Sequence, residues 1–361
     1  MRILHIVEDF SIKSGGLRTV IKNLDFFLKK MGHKSYIIAS DKEKSDAIFV
    51  VKSTTKWLYS QEWKKSILTI INEQKIEVVH IHGAWLYPQY IGAKIAVENK
   101  IPMVLSLHGM FQPWLWKKGT LKKKLYFNLL SKKYFSKALV FHTITPIETE
   151  TIKRFFKKSN SDEIPNLISI AEQNNKVNFT EKNILYLGRL NKTKGIDILI
   201  KAFSKIDNNK VKLQIAGGFN KYKKELEEVV ESLNLKDKVI FLGEVKGEVK
   251  TKLIKNAWVM ASPSFSDVIG MVNLEAASLK TPMITTYNTG LKPEWNLNGG
   301  KLINPNIQEL TDALKETLSW SLEKRNAKGK LLYNYVKKVY SWDTRLKDWQ
   351  LLYEKAIFNE K

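Results

Sequence analysis

Charged and glycine residues cluster directly after predicted strands, where their chemistry suits an anionic ligand. Residues 188–195 read Gly-Arg-Leu-Asn-Lys-Thr-Lys-Gly and place the Arg189 guanidinium and the Lys194 ammonium behind an apolar run. Arginine can fork onto two phosphate oxygens and lysine acts as a point charge, so this pair suits a diphosphate. The alternative, a basic surface loop, applies to Lys192 more than to Arg189.

A second glycine segment, Gly15-Gly16, separates the first apolar run from a helix that begins near Leu17. Two glycines let the backbone come close to a ligand, and a helix N-terminus offers free N–H groups at the positive end of its dipole. The segment therefore also suits a diphosphate. The alternative is a turn that only requires positive φ.

Two carboxylates lie on a predicted helix that begins near Gly270. We expect Ser266 or Asp267 to cap this helix, which ends before Pro282. Asp267 and Glu275 are eight residues apart, which is about 12 Å along a continuous helix. Because the paired carboxylates of a glycosidase lie only roughly 5–9.5 Å apart, these two suit opposite ends of an extended ligand. In the alternative, Asp267 is a plain cap and Glu275 a surface residue.

Histidines end two predicted strands. His108 precedes Gly109 at the tip of the run Met103–Leu107, where it faces either a ligand or, as a structural histidine, the core. His80 and His82 share one strand face, since strand side chains alternate with a period of two. No third ligand is near them in sequence, so we interpret them as ordinary strand-end histidines and expect no metal site.

The sequence lacks several motifs that would indicate other enzymes. It contains neither G-x-x-x-x-G-K-[ST] nor G-x-G-x-x-G, which disfavours P-loop NTPases and dehydrogenases, and neither H-E-x-x-H nor D-x-D. It also contains no cysteine. This excludes disulfides, thiolate metal sites and a cysteine nucleophile, and it is consistent with a reducing cytosol.

Short apolar runs alternate with helical patterns in two series along the 361 residues. Such alternation predicts parallel sheets with helices on both faces. We therefore predict an α/β protein of two Rossmann-like doubly wound domains that face each other across a cleft, residues 1–170 and 184–339. A linker at 171–183 joins them, and a C-terminal helix within 340–361 returns to the first domain. Ligands bind at the carboxyl ends of the strands in such sheets, so the cleft is the expected site.

The formal net charge of +24 indicates a polyanionic partner, and 12 basic residues against 2 acidic ones fall within 117–158. Nucleic acid, an anionic membrane and phosphorylated small molecules all fit this charge. Trp114 and Trp116 precede this stretch, which continues into a helix that bears Lys122, Lys123 and Lys124 beside Leu121, Leu125 and Leu129. A basic amphipathic element of this kind is typical of an anionic membrane surface. In the alternative, its apolar stripe packs on the first domain.

Taken in order, the motifs resemble those of family-4 retaining glycosyltransferases (glycosyl transferases group 1), which have the GT-B fold. The matching segments are Gly15-Gly16, His108-Gly109, Ile164-Pro165-Asn166, Gly188-Arg189-Leu190, Lys194-Gly195, Ala216-Gly217-Gly218, the E-x7-E-like segment that ends at Glu275, and Tyr340-Ser341-Trp342-Asp343. One departure is Asp267, which stands where the family has the first glutamate.

The resemblance implies transfer of a sugar from a UDP- or GDP-sugar to an acceptor hydroxyl with retained configuration, without a cofactor or metal. In that case Glu275 holds the ribose, while Arg189 and Lys194 neutralise the diphosphate. Backbone N–H groups at Gly15, Gly16, Gly270, Met271 and Val272 bind phosphate and sugar. His108 and Asp267, as the catalytic pair, contact the transferred sugar.

The resemblance further implies a cell-envelope glycan or polyprenyl-linked acceptor, as in lipopolysaccharide, capsule or exopolysaccharide synthesis. The enzyme would then work peripherally at the cytoplasmic face of the membrane and not on nucleic acid. Two alternatives stay open from the sequence. One is a basic nucleic-acid-binding protein, whose ten tryptophans could stack on bases. The other is a nucleotide-sugar epimerase of the same fold, which needs no acceptor.

Overall fold

The computed structural model describes residues 1–44, 46–116, 120–170, 179, 181–207 and 210–358. It divides into two compact units. The first contains Met1–Asn166 together with the C-terminal residues from Arg345 onward, and the second contains Leu167–Thr344. Most of the predicted linker, residues 171–178 and 180, lies outside the described residues.

The first unit is built on a parallel sheet of seven strands. The strands are β1 (Arg2–Ile6), β2 (Lys34–Ala39), β3 (Phe49–Val50), β4 (Val78–His82), β5 (Met103–Ser106), β6 (Val140–Thr143) and β7 (Ser161–Glu163). The helices are α1 (Gly16–Lys30), α2 (Gln61–Gln74), α3 (Tyr87–Glu98), α4 (Pro113–Trp116), α5 (Thr120–Tyr126), α6 (Lys132–Phe135) and α7 (Pro146–Phe155), with a π-helical segment at Phe127–Ser131. The strand order is β3-β2-β1-β4-β5-β6-β7.

The second unit repeats this architecture with six parallel strands. They are β8 (Asn183–Leu187), β9 (Lys212–Ala216), β10 (Val239–Gly243), β11 (Val259–Ser262), β12 (Met283–Thr286) and β13 (Lys301–Ile303), in the order β10-β9-β8-β11-β12-β13. The helices are α8 (Ile196–Phe203), α9 (Lys221–Ser232), α10 (Gly247–Asn256), α11 (Met271–Ser278), α12 (Glu294–Leu297), α13 (Ile307–Ser319) and α14 (Leu322–Val339). A last helix, α15 (Trp342–Phe358), joins the first unit from Arg345 onward.

In each sheet the strands are added outward in one direction and then in the other. The change occurs between β1 and β4 in the first unit and between β8 and β11 in the second. This is the doubly wound topology, whose switch point opens a crevice at the carboxyl ends of the strands. The predicted α/β fold of two Rossmann-like sheets is therefore confirmed. Strands are present at the short apolar runs of both series, and the edge strands β3, β7 and β13 are additional. Each of these three is only two or three residues long and has no clear alternation.

Periodic apolar residues explain how the helices pack. In α1, Val20, Ile21, Leu24 and Leu28 are buried against the sheet, and the chain leaves the helix at Gly32, whose φ is 84°. The central strands of both units are rich in apolar residues because helices cover both of their faces. Among the described residues, none of the helices combines the length and apolarity of a bilayer-spanning segment.

Candidate functional site

In the second unit, the loop after β8 is held against the loop after β11, the neighbouring strand at the switch point. The backbone N–H of Phe265 donates to the Thr193 carbonyl over 2.8 Å, and the Ser264 hydroxyl donates to the same oxygen over 3.1 Å. Gly195 has φ of 65°, and a Cβ there would lie 2.2 Å from the Pro263 carbonyl oxygen. Only glycine fits this approach, which fixes the basic loop where the sheet topology predicts a ligand.

Lys194 and Asp267 are brought together by this packing. The Lys194 ammonium lies 2.5 Å from Oδ2 of Asp267, and both side chains are largely buried. Oδ1 of Asp267 accepts a hydrogen bond from the Val268 N–H over 3.1 Å. Separate tasks were predicted for these two residues, whereas here they neutralise each other. Burial, followed by the charge of Asp267, raises the pKa of the neighbouring Tyr186.

The predicted cap of α11 is wrong. The helix begins at Met271 with Gly270 as its N-cap and without a side-chain hydrogen bond, so neither Ser266 nor Asp267 caps it. A Cβ on Gly270 would lie 2.7 Å from Oδ2 of Asp267, so the carboxylate occupies the space beside the glycine. Since the first N–H groups of a helix have no intrahelical partner, those of Met271 and Val272 can bind a ligand.

Glu275 lies on α11 and is held by a lysine that the sequence analysis missed. The Lys250 ammonium, from α10, lies 2.7 Å from both carboxylate oxygens of Glu275. Asp267 precedes the helix that carries Glu275, so the 12 Å separation expected for one continuous helix does not apply. Lys250 is 25 residues away in a lysine-rich helix, and no local spacing distinguishes it from the surrounding surface lysines.

Arg189 completes the basic group of the second unit. It follows Gly188 directly after β8, and its side chain is exposed. No described residue forms an ion pair with it, whereas Lys192 of the same loop pairs with Glu225 over 2.7 Å. The Arg189 carbonyl accepts a hydrogen bond from the Tyr186 hydroxyl over 2.9 Å. The backbone at Arg189 is thus fixed while its guanidinium is available to an anion.

In the first unit, Gly15 and Gly16 begin α1 at the carboxyl end of β1. Gly15 has φ of 62°, so the turn itself requires a glycine at that position. Gly16 has ordinary backbone angles, and a Cβ on either residue would meet no atom within 4 Å. The turn explains Gly15 but not Gly16, and the open space in front of both leaves room for a ligand.

His108 lies two residues after the end of β5, in a constrained turn. Its φ is 51° and that of Gly109 is 75°. The buried carboxylate of Glu148 accepts the N–H of Gly109 over 2.6 Å and that of Ile144 over 2.8 Å. Burial raises the pKa of Glu148, while these two backbone hydrogen bonds oppose the shift. Glu148 of α7 therefore holds the backbone of the turn that carries the half-buried His108.

Five of the six histidines meet on one face of the sheet of the first unit. His5 of β1 pairs in register with His80 of β4, and His82 stands beside both. One nitrogen of each of these three lies within 4.8 Å of the others, which is close enough for a metal ion. The sequence analysis missed this third residue because His5 is 75 positions from His80. The adjacency of β1 and β4 in doubly wound sheets is the signal that could have found it.

Burial keeps these histidines neutral. It lowers the pKa of His108 to about 3, with a further contribution from the charge of His142. It lowers the pKa of His5 to about 4 and that of His142 to about 4, and it lowers those of His80 and His82 well below the usual value.

The basic helix of the first unit, which comprises α5 and the π-helical segment after it, excludes the alternative of a packed apolar stripe but differs from the prediction at Trp116. Its leucines do not pack on the domain: Leu121 is 72%, Leu125 51% and Leu129 73% exposed. By contrast, Trp116 is not displayed outside but stacks on Phe155 with ring centroids 4.9 Å apart. Of the Trp114 side chain and of Lys117 and Lys118 the structure gives no description.

The three lysines predicted for the membrane surface differ in their exposure. Lys122 and Lys124 are exposed, whereas Lys123 is half-buried. The Lys123 ammonium donates to the Leu115 carbonyl over 2.5 Å and lies 5.4 Å from the ring centroid of Trp85. We use the term leucine stripe for Leu121, Leu125 and Leu129. The helix therefore presents this exposed stripe with Lys122 and Lys124 beside it.

Comparison with known proteins covers both units. The family model "Glycosyl transferases group 1" matches residues 155–331, and the model "Glycosyltransferase Family 4" matches residues 14–172. An uncharacterized glycosyltransferase of Methanocaldococcus jannaschii is 28% identical over 83% of this chain and 80% of its own length. The alpha-monoglucosyldiacylglycerol synthase of Streptococcus pneumoniae is 24% identical over 80% of this chain and 71% of its own length.

Among solved structures, Anabaena HepE in complex with UDP-glucose is similar at a TM-score of 0.75 and 16% identity, over 98% of each chain. At this identity the likeness shows the fold alone. Together the two family models account for residues 14–331 with no gap between them. The chain thus belongs to the group 1 glycosyltransferases of family 4, and it is a glycosyltransferase with the GT-B fold.

Proposed function

We propose that this glycosyltransferase transfers a sugar, with retained configuration, from a nucleoside-diphosphate sugar to a hydroxyl of a lipid-linked or envelope-glycan acceptor. The observation that carries the donor assignment is the cluster of cationic and N–H groups at the carboxyl ends of β8 and β11. Arg189, Lys194 and the first N–H groups of α11 are all suited to a diphosphate.

In the proposed reaction, the bond from the anomeric carbon to the β-phosphate oxygen breaks and the acceptor oxygen bonds to the same face of that carbon. The proton of the acceptor hydroxyl passes to the departing phosphate oxygen. The nucleoside diphosphate leaves as an anion, and fixed cations lower the barrier to its departure. Arg189 and Lys194 supply that charge in our proposal, so the reaction proceeds without a metal ion. Glu275 binds the ribose hydroxyls, and Asp267 and His108 contact the transferred sugar.

Asp267 has a second part in this proposal. Because Lys194 is paired with Asp267 in the free protein, an incoming diphosphate competes with the carboxylate for the ammonium. Binding of the phosphates then releases Oδ2 of Asp267 to accept a hydroxyl group of the sugar. A single ion pair thereby links the arrival of the donor to the availability of the carboxylate.

The exposed leucine stripe and its lysines support a membrane-associated acceptor. Burying one leucine side chain contributes about 1.5–3 kcal/mol, and each lysine near an anionic surface contributes about 1 kcal/mol. Three leucines flanked by Lys122 and Lys124 therefore suffice for reversible docking after substantial discounting. The synthase from Streptococcus pneumoniae, which is named for a diacylglycerol product, is consistent with such an acceptor. We place the enzyme peripherally at the cytoplasmic face of the membrane.

The experiment that tests the donor assignment is thermal unfolding in the presence of UDP- and GDP-sugars. UDP-glucose is the first candidate, since the similar HepE structure contains it. We expect one nucleotide sugar to raise the melting temperature selectively and to do so equally in the presence of EDTA. Stabilisation by none of them would contradict the proposal, and conversion of the nucleotide sugar into its epimer without an acceptor would identify an epimerase.

A further inference from the structure

Two hydrogen-bonded chains of histidines run through the sheet of the first unit, and the direction of one is fixed. It passes from Tyr353 through His80, Ser106 and His142 to the Ile164 carbonyl, with distances of 2.7, 2.6, 2.7 and 2.8 Å. A carbonyl only accepts, so Nε2 of His142 carries a proton. In turn Ser106 donates to Nδ1 of His142, His80 donates to Ser106, and Tyr353 donates to His80.

The second chain contains His5, His82 and His108. Nδ1 of His5 lies 3.0 Å from Nε2 of His82, and Nδ1 of His82 lies 2.9 Å from Nε2 of His108. No carbonyl ends this chain. Its buried end is Nε2 of His5, which has no hydrogen-bond partner among the residues that the structure describes. The other end is Nδ1 of the half-buried His108.

The unpartnered nitrogen of His5 determines the direction of this chain. A neutral imidazole has one N–H and one lone pair, so each ring donates once and accepts once. A buried N–H without an acceptor is rarer and costs more than an unused lone pair. Nε2 of His5 is therefore the lone pair, His5 donates to His82, and His82 donates to Nε2 of His108. The remaining proton of His108 is then on Nδ1.

We infer that His5 and His82 are positioning residues that hold His108 as its Nδ1–H tautomer, so that the free nitrogen of His108 presents a hydrogen-bond donor to a ligand oxygen. That the ligand oxygen belongs to the donor sugar rests on the proposed function. The backbone supports the same orientation, because Glu148 anchors the Gly109 N–H directly beside the histidine. The lowered pKa values of the three rings keep them neutral, as a tautomer requires.

A metal ion at His5, His80 and His82 is the competing interpretation. Both nitrogens of His80 and both of His82 already take part in hydrogen bonds. A metal ion would have to replace one hydrogen bond at His80 and one at His82. The three histidines also bring no carboxylate to offset the double positive charge of a buried ion. These contacts favour the hydrogen-bonded chain.

The tautomer can be read directly by ¹⁵N NMR of histidine-labelled protein at pH 7.5, with His108→Gln identifying the signals of residue 108. We expect a protonated Nδ1 and an unprotonated Nε2 at His108, unchanged by EDTA. The opposite tautomer would overturn the inference. So would signals of His5 and His82 that shift when EDTA is added, since they would indicate a bound metal.

Two substitutions of His82 separate positioning from folding. The side-chain amide of asparagine reaches the place of Nδ1, so His82→Asn keeps a donor toward His108, whereas the longer glutamine of His82→Gln places its amide near the site of Nε2. We expect His82→Gln to lose the preference for Nδ1–H and to lower kcat on the order of tenfold to a hundredfold, as when a positioning partner is lost. The KM for the donor should change little, and His82→Asn should retain the tautomer and most of the activity.

His142→Gln is the matched control, because it removes a buried histidine of the first chain and leaves the second intact. It should leave the tautomer of His108 unchanged. Equal loss of kcat in His82→Gln, His82→Asn and His142→Gln, with the tautomer unaltered, would show a merely structural role and overturn the inference. If no nucleotide sugar is turned over at all, the proposed function fails, while the NMR spectrum of the free protein still decides the tautomer.

Discussion

Lys194 and Asp267 form an ion pair, with Nζ and Oδ2 2.5 Å apart, at the point where two strand-end loops of the second unit meet. The pair joins the residue best suited to bind phosphate to the carboxylate best placed to contact a sugar. Neither side chain is free to act alone. Substitution of one therefore changes the electrostatics of the other, which gives the two residues opposite effects on nucleotide binding.

The first prediction follows from this opposition. Asp267→Asn removes the charge that competes for Lys194, so we expect UDP to bind at least as tightly as to the parent while turnover falls. Lys194→Ala should weaken UDP binding by about 1.5–3 kcal/mol, the range for a lost charge-assisted hydrogen bond. Titration calorimetry measures both. Lys192→Ala, in the same loop but paired with Glu225, is the control and should bind UDP normally.

Arg189 has no such competitor. Its guanidinium is exposed, so Arg189→Ala should weaken UDP binding by about 1.5–3 kcal/mol with little change in the melting temperature. An affinity equal to that of the parent would remove Arg189 from the diphosphate site.

The second prediction concerns Glu275 and its lysine. Glu275→Gln removes the charge from the hydrogen bonds proposed for ribose, and we expect free UDP to bind about 1.5–3 kcal/mol more weakly. Lys250→Met only removes the support of that carboxylate, so its effect should be smaller and in the same direction. Binding of free uracil tests whether the loss arises at the ribose. Uracil lacks ribose, so its weak binding should be the same in Glu275→Gln and in Lys250→Met. Full UDP affinity in Glu275→Gln would contradict the ribose assignment.

Sequence periodicity predicted the fold well because a parallel strand covered on both faces must be apolar. Val78–Ile81 and Met103–Leu107 are such runs, and their place in the chain also specifies which ends face a ligand. Short edge strands such as Ser161–Glu163 carry no such signal, since their side chains are partly exposed.

The site was harder to predict, because its contacts join residues far apart in sequence. Lys194 and Asp267 are 73 residues apart, and His5 and His82 are 77 apart. Spacing rules apply within one element and cannot reveal a partner on another. The cap of α11 shows the same limit: Asp267 has the right residue type, but it lies three residues before the N-cap Gly270, and Lys194 and the N–H of Val268 occupy its carboxylate.

The third prediction is loss of stability in mild acid. Each clustered histidine has a pKa in the folded protein below the ordinary 6.5, to about 4 for His5 and His142. Below pH 6.5 the unfolded chain therefore binds protons that the folded one does not, and the free energy of unfolding decreases as the pH is lowered. The slope is at most roughly 1.4 kcal/mol per pH unit for each histidine, and it continues to about pH 4, where His5 and His142 protonate in the fold. Burial raises the pKa of Glu8 and that of Glu148, and these two groups oppose the trend.

Urea denaturation at pH 7.5, 6.5, 5.5 and 4.5 measures this dependence. The free energy of unfolding should be level above pH 7 and decrease steadily between 6.5 and 4.5. His142→Gln should reduce the slope by the share of one histidine. A free energy that stays constant across this interval would mean that the buried rings protonate without penalty.

The fourth prediction concerns Arg325, a buried cation of the second unit. Its guanidinium donates to the carbonyls of Ala257, Trp258 and Lys280 over 2.8, 3.1 and 3.2 Å, which ties the ends of α10 and α11 to α14. Burial lowers the pKa of Arg325 to about 10. Arg325→Met keeps the volume of the side chain but removes all three of these hydrogen bonds, so we expect a loss of about 3 kcal/mol or more of stability. Thermal unfolding measures this loss of stability. The control is Lys324→Met, a substitution of the neighbouring residue, which should have little effect.

The last prediction is that the leucine stripe binds anionic membranes. An apolar stripe flanked by lysines lies in the interface with its apolar side in the acyl region and its charges among the headgroups. Leu125, 51% exposed, stands in the middle of the stripe, so Leu125→Glu places a charge where the bilayer is most apolar. The change at Lys122 and Lys124 to glutamate reverses the attraction to the headgroups instead. We expect each variant to sediment with vesicles containing anionic lipid much less than the parent does. Both should retain the melting temperature, because all three side chains are exposed.

The controls are the same substitutions on α14 of the second unit. Leu331 is 44% exposed there, and Lys337 and Lys338 are both exposed. Leu331→Glu and the change of Lys337 and Lys338 to glutamate alter apolarity and net charge by the same amounts, so a nonspecific effect would appear in both pairs. Vesicles without anionic lipid should bind the parent weakly, since the lysines then lose their partner while the leucines remain. If the control variants lose as much binding as those of the leucine stripe, the total charge of the protein and not this helix determines membrane attachment.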